Sequence, residues 1–105
     1  MSRAKRGEVW IVDLGLAAKI RPCLVLSVPT DPQDRVLVTI VPRTTSVQGT
    51  RFEVPATARF LQENGVFDAQ QVITVAQVKL VRKLGELPAD QLVLVEASVR
   101  LWLGL

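Results

Sequence analysis

The chain has no histidine, no tyrosine and a single cysteine. Without imidazole, a Ser-His-Asp or Cys-His nucleophile system is excluded. A histidine acid–base pair and an ordinary zinc site go with it, so no metal or other cofactor is expected. Cys23 has no partner for an internal disulfide, and its place in the run Pro22-Cys23-Leu24-Val25-Leu26 predicts a buried, inert thiol. Neither common glycine-rich phosphate loop is present. No apolar run approaches the roughly 18 residues of a membrane helix. The basic start, Met1-Ser2-Arg3-Ala4-Lys5-Arg6, lacks the apolar stretch of a secretory signal. A cytoplasmic protein without membrane contact is therefore expected. Any chemistry must come from Arg, Lys, Thr, Ser, Asp, Glu and Gln.

What is present suits one small folded domain spanning 1–105, with 49% hydrophobic and 22% charged residues. The charge is uneven. Residues 1–51 carry eight basic side chains against Glu8, Asp13, Asp31 and Asp34, a net of +4. Residues 52–105 carry five basic against six acidic, a net of −1. The basic half is where a polyanionic partner would bind, although ordinary surface solvation also accounts for so small an excess.

The first two thirds have strand character. Glu8–Asp13 is rich in β-formers and is followed by Gly15. Residues 21–28 and 35–41 are nearly continuous apolar runs, as strands buried on both faces require. A polar stretch, 44–50, leads to a short strand at 51–54, and residues 56–63 have room for one helical turn. Asn64-Gly65 signals a turn, and 71–75 and 79–84 are two more strand candidates, the last ended by Gly85. The period then changes. Leu92, Val95, Val99, Trp102 and Leu103 recur at helical spacing, with Pro88 and Asp90 at the start and Arg100 near the end. Leu94 and Leu101 fall off that stripe, which fits a second buried face against a partner subunit or a broad core contact. The expected fold is mainly β with a C-terminal helix: a small, curved antiparallel barrel capped by that helix.

Four pieces of the chain carry more than pattern. They are Arg6-Gly7-Glu8-Val9-Trp10-Ile11-Val12-Asp13-Leu14, Arg21-Pro22-Cys23-Leu24-Val25-Leu26-Ser27, Val41-Pro42-Arg43-Thr44-Thr45-Ser46 with Phe52-Glu53-Val54 after it, and Gln71-Val72 before a later strand. In this order and spacing, with a closing helix that ends Leu103-Gly104-Leu105, the chain resembles the MazF/PemK family of toxin endoribonucleases of type II toxin–antitoxin systems. The resemblance covers nearly the whole chain. It implies an SH3-like (CcdB/PemK-like) barrel and a homodimer that cuts single-stranded RNA at short sequences without a metal. It also implies an acidic, MazE-like antitoxin whose disordered tail blocks the RNA groove. The family's catalytic arginine and threonine correspond to Arg21 and Thr44. Lys19, Arg43, Thr45, Ser46 and Gln71 are the expected RNA contacts.

The residue chemistry agrees with that implication. Attack by a ribose 2′-OH needs no external nucleophile, only in-line geometry and stabilisation of charge on the phosphorane oxygens. A guanidinium supplies a permanent charge and a planar fork of donors, and a hydroxyl supplies one more. Plainer roles stand beside these. Arg21 could be a surface residue before a β-edge proline. Thr44 could bond its own turn, Asp13 could pin the first loop, and Gln71 could satisfy a backbone group. Trp10 and Trp102 read as core or interface residues rather than base-stacking platforms. The connection Gly15–Ile20 is shorter than the family's usual loop and lacks the glutamate some members place there, which leaves the general base unassigned. Arginine is a poor candidate, because it hardly deprotonates. Two other functions compete: a same-fold toxin that binds a protein, as the CcdB type binds DNA gyrase, and a catalytically dead relative that binds RNA or antitoxin.

Overall fold

The computed structural model describes residues 4–15 and 19–105. Among these, seven strands precede one helix: β1 Glu8–Asp13, β2 Ile20–Val25, β3 Leu37–Thr44, β4 Glu53–Val54, β5 Val66–Asp68, β6 Ile73–Ala76, β7 Leu80–Glu86 and α1 Ala89–Leu103. Every strand pairing is antiparallel, along the path β4-β5-β3-β2-β1-β7. β6 joins β3 beside β5, at residues 37–40, whereas β5 takes residues 43–44. β3 thus joins two pairing systems along one edge. The register of β1 on β7 slips after Val9 and again after Ile11, irregularities that increase local twist. The two ends of the sheet, β4 and β7, do not pair, so it does not close into the expected barrel.

The nearly unbroken apolar runs of β2 and β3 follow from cores on both faces of the sheet. Val9, Leu24 and Val41 point to the side covered by α1, where they meet Phe67, Val54, Leu87 and Val95. The alternate residues Val12, Cys23, Val25, Val38 and Ile40 form a second core, against which Trp10, Leu14, Val75 and Leu80 pack. Period-two alternation therefore assigns side by parity, and a strand buried on both sides shows no polar face.

Two local expectations are corrected, and one strand was not expected. Residues 56–63 do not form a helical turn. The carbonyls of Ala56 and Gln62 instead accept hydrogen bonds from the Arg43 guanidinium, and the segment bends through Leu61 N–H to Ala58 O. β5, only three residues long, has no signature of its own beyond the turn before it. Gly85 lies inside β7 rather than ending it, because the Phe60 ring packs where a Cβ would stand, 2.4 Å away at its nearest atom.

α1 begins after Pro88 with Asp90 in its first turn and Arg100 in its last, each favourable to the helix dipole. Gly104, at φ 72°, closes it in the left-handed conformation. Val95, Ser98 and Val99 are its buried residues, and Val93, Leu94 and Leu101 are exposed.

Candidate active site

β2 and β3 pair as Cys23↔Pro42, Leu24↔Val41 and Val25↔Ile40. Continuing that register by two residues sets Arg21 opposite Thr44. Residues opposite each other in an antiparallel pair share a face. Arg21 has the parity of Cys23 and Val25, and Thr44 that of Val38 and Ile40, at the strand ends where the second core has run out, and both line the cleft that Trp102 at the end of α1 reaches. Two open clefts, of about 510 and 530 Å³, meet here, and Arg21, Thr44 and Ser46 line both.

The Thr44 hydroxyl accepts the Ser46 N–H at 3.0 Å. This is the local turn bond that the residue type favours, and it leaves the hydroxyl hydrogen to be donated elsewhere. Beyond it the 44–50 loop is tied down by Glu53, whose carboxylate accepts from Gln48 N–H at 3.0 Å and Thr50 N–H at 2.9 Å. These amides hold the Glu53 carboxyl below the usual carboxylate range. Asp68, at the end of β5, accepts the Gln70 N–H at 3.1 Å and so starts a 3-10 turn, Ala69–Gln71. That turn delivers Gln70 and Gln71 to the first cleft, beside both carboxylates.

Lys19 lines the second cleft together with Thr45. Its backbone takes φ 63°, and bonds from Lys19 N–H to Gly15 O and from Leu14 N–H to Lys19 O close the connection. Residues 16–18 of that short connection, and Arg3 of the basic N-terminus, lie outside the described residues. The Asp13 carboxylate accepts the Gly15 N–H at 2.9 Å and holds the loop entry.

Arg43, expected on the RNA path, lines the second cleft but turns its guanidinium inward. One residue from Thr44, it has the parity of Val41 and enters the α1-side core, only 5% exposed. Its guanidinium donates to Ala56 O at 2.8 Å and Gln62 O at 2.7 Å and lies 5.0 Å over the Phe67 ring. Gly65 gives it room, since a Cβ there would stand 2.6 Å from Arg43 Nε. Arg43 is a strut under the site. Other positive charges are also committed. Arg6 pairs with Glu96 and bonds Leu26 O, and Lys83 pairs with Glu8 at 3.0 Å. Arg51 lies 4.7 Å over the Phe52 ring. The positive charge at the clefts comes mainly from Lys19 and Arg21.

Residues distant in sequence complete the first cleft. Asp68, Gln70, Gln48 and Trp102 carry no motif that would have marked them, and only folding gathers them. Trp102 is not buried: it keeps 43% exposure in the cleft and meets Phe52 edge-on, 5.3 Å between ring centroids. Trp10 is half-buried, its indole N–H donated to Glu8 at 3.0 Å. Burial pushes the Cys23 thiol up to about 12, so it stays protonated and inert. Among the described residues no group of three or more His, Cys, Asp or Glu could hold a metal ion, and no helix is long and apolar enough to cross a membrane.

Residues 5–103 match the family model described as "PemK-like, MazF-like toxin of type II toxin-antitoxin system". MazF from Deinococcus radiodurans is similar over the full length of both chains, at 27% identity and a TM-score of 0.82. The MazE-MazF complex of the same organism contains a chain 25% identical, with a TM-score of 0.82, matched over 100% of this chain and 99% of that one. The Mycobacterium tuberculosis toxin MazF-mt6 is 27% identical, with a TM-score of 0.78 over 93% of this chain and 97% of its own.

Proposed function

Because the chain belongs to the PemK-like, MazF-like toxins of type II toxin–antitoxin systems, we propose that it is an endoribonuclease that cuts single-stranded RNA without a metal. The observation that supports this reading is that Arg21 and Thr44 both line the same two clefts, on the ridge between them. An RNA strand crossing that ridge puts one phosphate against both groups and a nucleotide in each cleft.

The ribose 2′-oxygen gives up its proton and attacks phosphorus; the P–O5′ bond breaks, and the 5′-oxygen takes a proton. The products are a 2′,3′-cyclic phosphate and a 5′-hydroxyl end. Arg21 meets the charge that grows on the phosphorane oxygens, and Thr44 donates one more hydrogen bond. The missing general base has two candidates in the first cleft, Glu53 and Asp68. Amide contacts from Gln48 and Thr50 hold Glu53 in its charged form, and Asp68 accepts the Gln70 N–H. Lys19, Thr45, Ser46 and Gln71 steady the strand on either side. A homodimer, inhibition by an acidic MazE-like antitoxin and a cytoplasmic setting belong to the same reading.

The test is incubation of the purified protein with a long RNA in EDTA, followed by end-group analysis. Cutting with cyclic-phosphate ends is expected, while DNA, which lacks the 2′-OH, survives. A requirement for added magnesium, equal cutting of DNA, or binding without cutting would each overturn the reading.

A further inference from the structure

The first cleft holds one feature that phosphate chemistry does not use. Trp102 falls on the same stripe of α1 as Val95, Ser98 and Val99, one turn beyond the buried stretch, so the helix carries it past the core and over the cleft. Phe52 holds it edge-on at 65°, and Phe52 is itself covered by the Arg51 guanidinium. The indole is thus fixed in orientation yet 43% exposed. Its surroundings in the cleft are amides, hydroxyls, carboxylates and the Arg21 guanidinium. A flat apolar surface with a polar rim is complementary to a nucleobase, which has an apolar face and a hydrogen-bonding edge. Gln70 stands on the rim, exposed, its backbone N–H fixed by Asp68. A primary amide presents a donor and an acceptor side by side, the pattern that reads a base edge in two bonds.

We propose that this cleft is a base-selection subsite, in which Trp102 stacks on the base next to the scissile phosphate and Gln70 reads its edge. The proposal rests on the endoribonuclease reading and adds to it where one position of the target sequence is chosen. The preference comes from folded geometry at the far end of α1, not from the Arg-Pro and Thr-Thr segments.

Two measurements test it. Cut ends on a long RNA are sequenced for the wild type and for Trp102→Leu, Trp102→Phe and Gln70→Ala, with circular dichroism as a check on folding. Trp102→Leu keeps an apolar contact with Phe52 but removes the ring. It and Gln70→Ala are expected to flatten the preference at one position beside the cut by about 10-fold, the scale of losing one stacked base. Trp102→Phe should keep most of it. An even loss of rate at all sites, with the consensus unchanged, would overturn the proposal. Independently, Trp10→Phe leaves Trp102 as the chain's one tryptophan. A 2′-O-methyl RNA oligonucleotide of the mapped cut sequence should quench its fluorescence. RNA binding without quenching would also overturn the subsite. Should Trp102→Leu not fold, Gln70→Ala and the quenching decide. No cutting and no RNA binding by the wild type would instead overturn the nuclease reading, and the subsite with it.

Discussion

On the proposed function, Arg21 and Thr44 make separable contributions to cleavage. Losing a preorganised charged donor costs roughly 100-fold or more in rate, so Arg21→Ala should fall at least that far. Thr44→Ala should fall less, because a neutral hydroxyl bonds more weakly than a charged fork. Neither side chain is in a core, so both variants should melt close to the wild type. Arg43 is the contrast. Arg43→Ala strands two carbonyls and opens a space beside Phe67, and should lose about 2–4 kcal/mol of stability. Thermal melts and a cleavage assay on the three variants separate the roles. A folded Arg21→Ala that still cuts RNA would sink the catalytic assignment, and an Arg43→Ala with undiminished melting temperature would remove the strut.

At the scale of elements, the β1–β7 junction ties stability to pH. Burial pushes the Glu8 carboxyl up, but bonds from Lys5 N–H, the Trp10 indole and the Lys83 ammonium outweigh it and hold the group below its ordinary value. A carboxylate lowered on folding stabilises the protein fully above its unfolded pKa. That contribution fades as pH falls through the folded value. Acid should therefore loosen this junction. Glu8→Gln should lose about 1–3 kcal/mol at neutral pH, and less at acid pH, where the wild type has already lost the charge. Melting temperatures of both proteins from pH 7 down to pH 3 give the comparison, and a gap that does not narrow on acidification would contradict it. Within α1, the buried Ser98 hydroxyl has no hydrogen-bond partner among the described residues. Ser98→Ala should leave the melting temperature unchanged or raise it, since an unsatisfied buried group costs about 1–3 kcal/mol. A clear drop would mean the hydroxyl is bonded in solution.

For the whole molecule, α1 turns Val93, Leu94 and Leu101 outward, each at least half exposed. The expected state is a homodimer, and light scattering should return about twice the chain's 11.6 kDa. Leu94→Glu should weaken it if this face is shared, and a monomer at micromolar concentration would contradict it. Binding of RNA and of an acidic antitoxin segment should weaken with rising salt, because each neutralises charge at the same clefts. With Arg43 buried and Arg6 paired, that dependence should respond to Lys19→Ala. Salt-independent RNA binding would refute the electrostatic reading.

Some of this was open to reading in the chain itself. The absence of histidine removed whole classes of chemistry, and the ordered motifs around Arg21 and Thr44 carried the family. Unbroken apolar runs located β2 and β3, because strands buried on both faces have no polar side, β-forming composition located β1, and a three- and four-residue apolar spacing located α1. Other matters waited for the tertiary structure. Arg43 and Thr44 are neighbours in one polar-looking segment, and nothing local says which of them meets solvent. The pleat sends them to opposite faces, and only the packing of Phe67 and Ala56 decides which face is core. The cleft wall could not be read for a related reason. Gln48, Asp68, Gln70 and Trp102 come from a loop, a three-residue strand, a single 3-10 turn and the end of a helix. Their meeting is fixed by how the sheet curls and where α1 lies on it, which are long-range contacts that no short stretch of sequence contains.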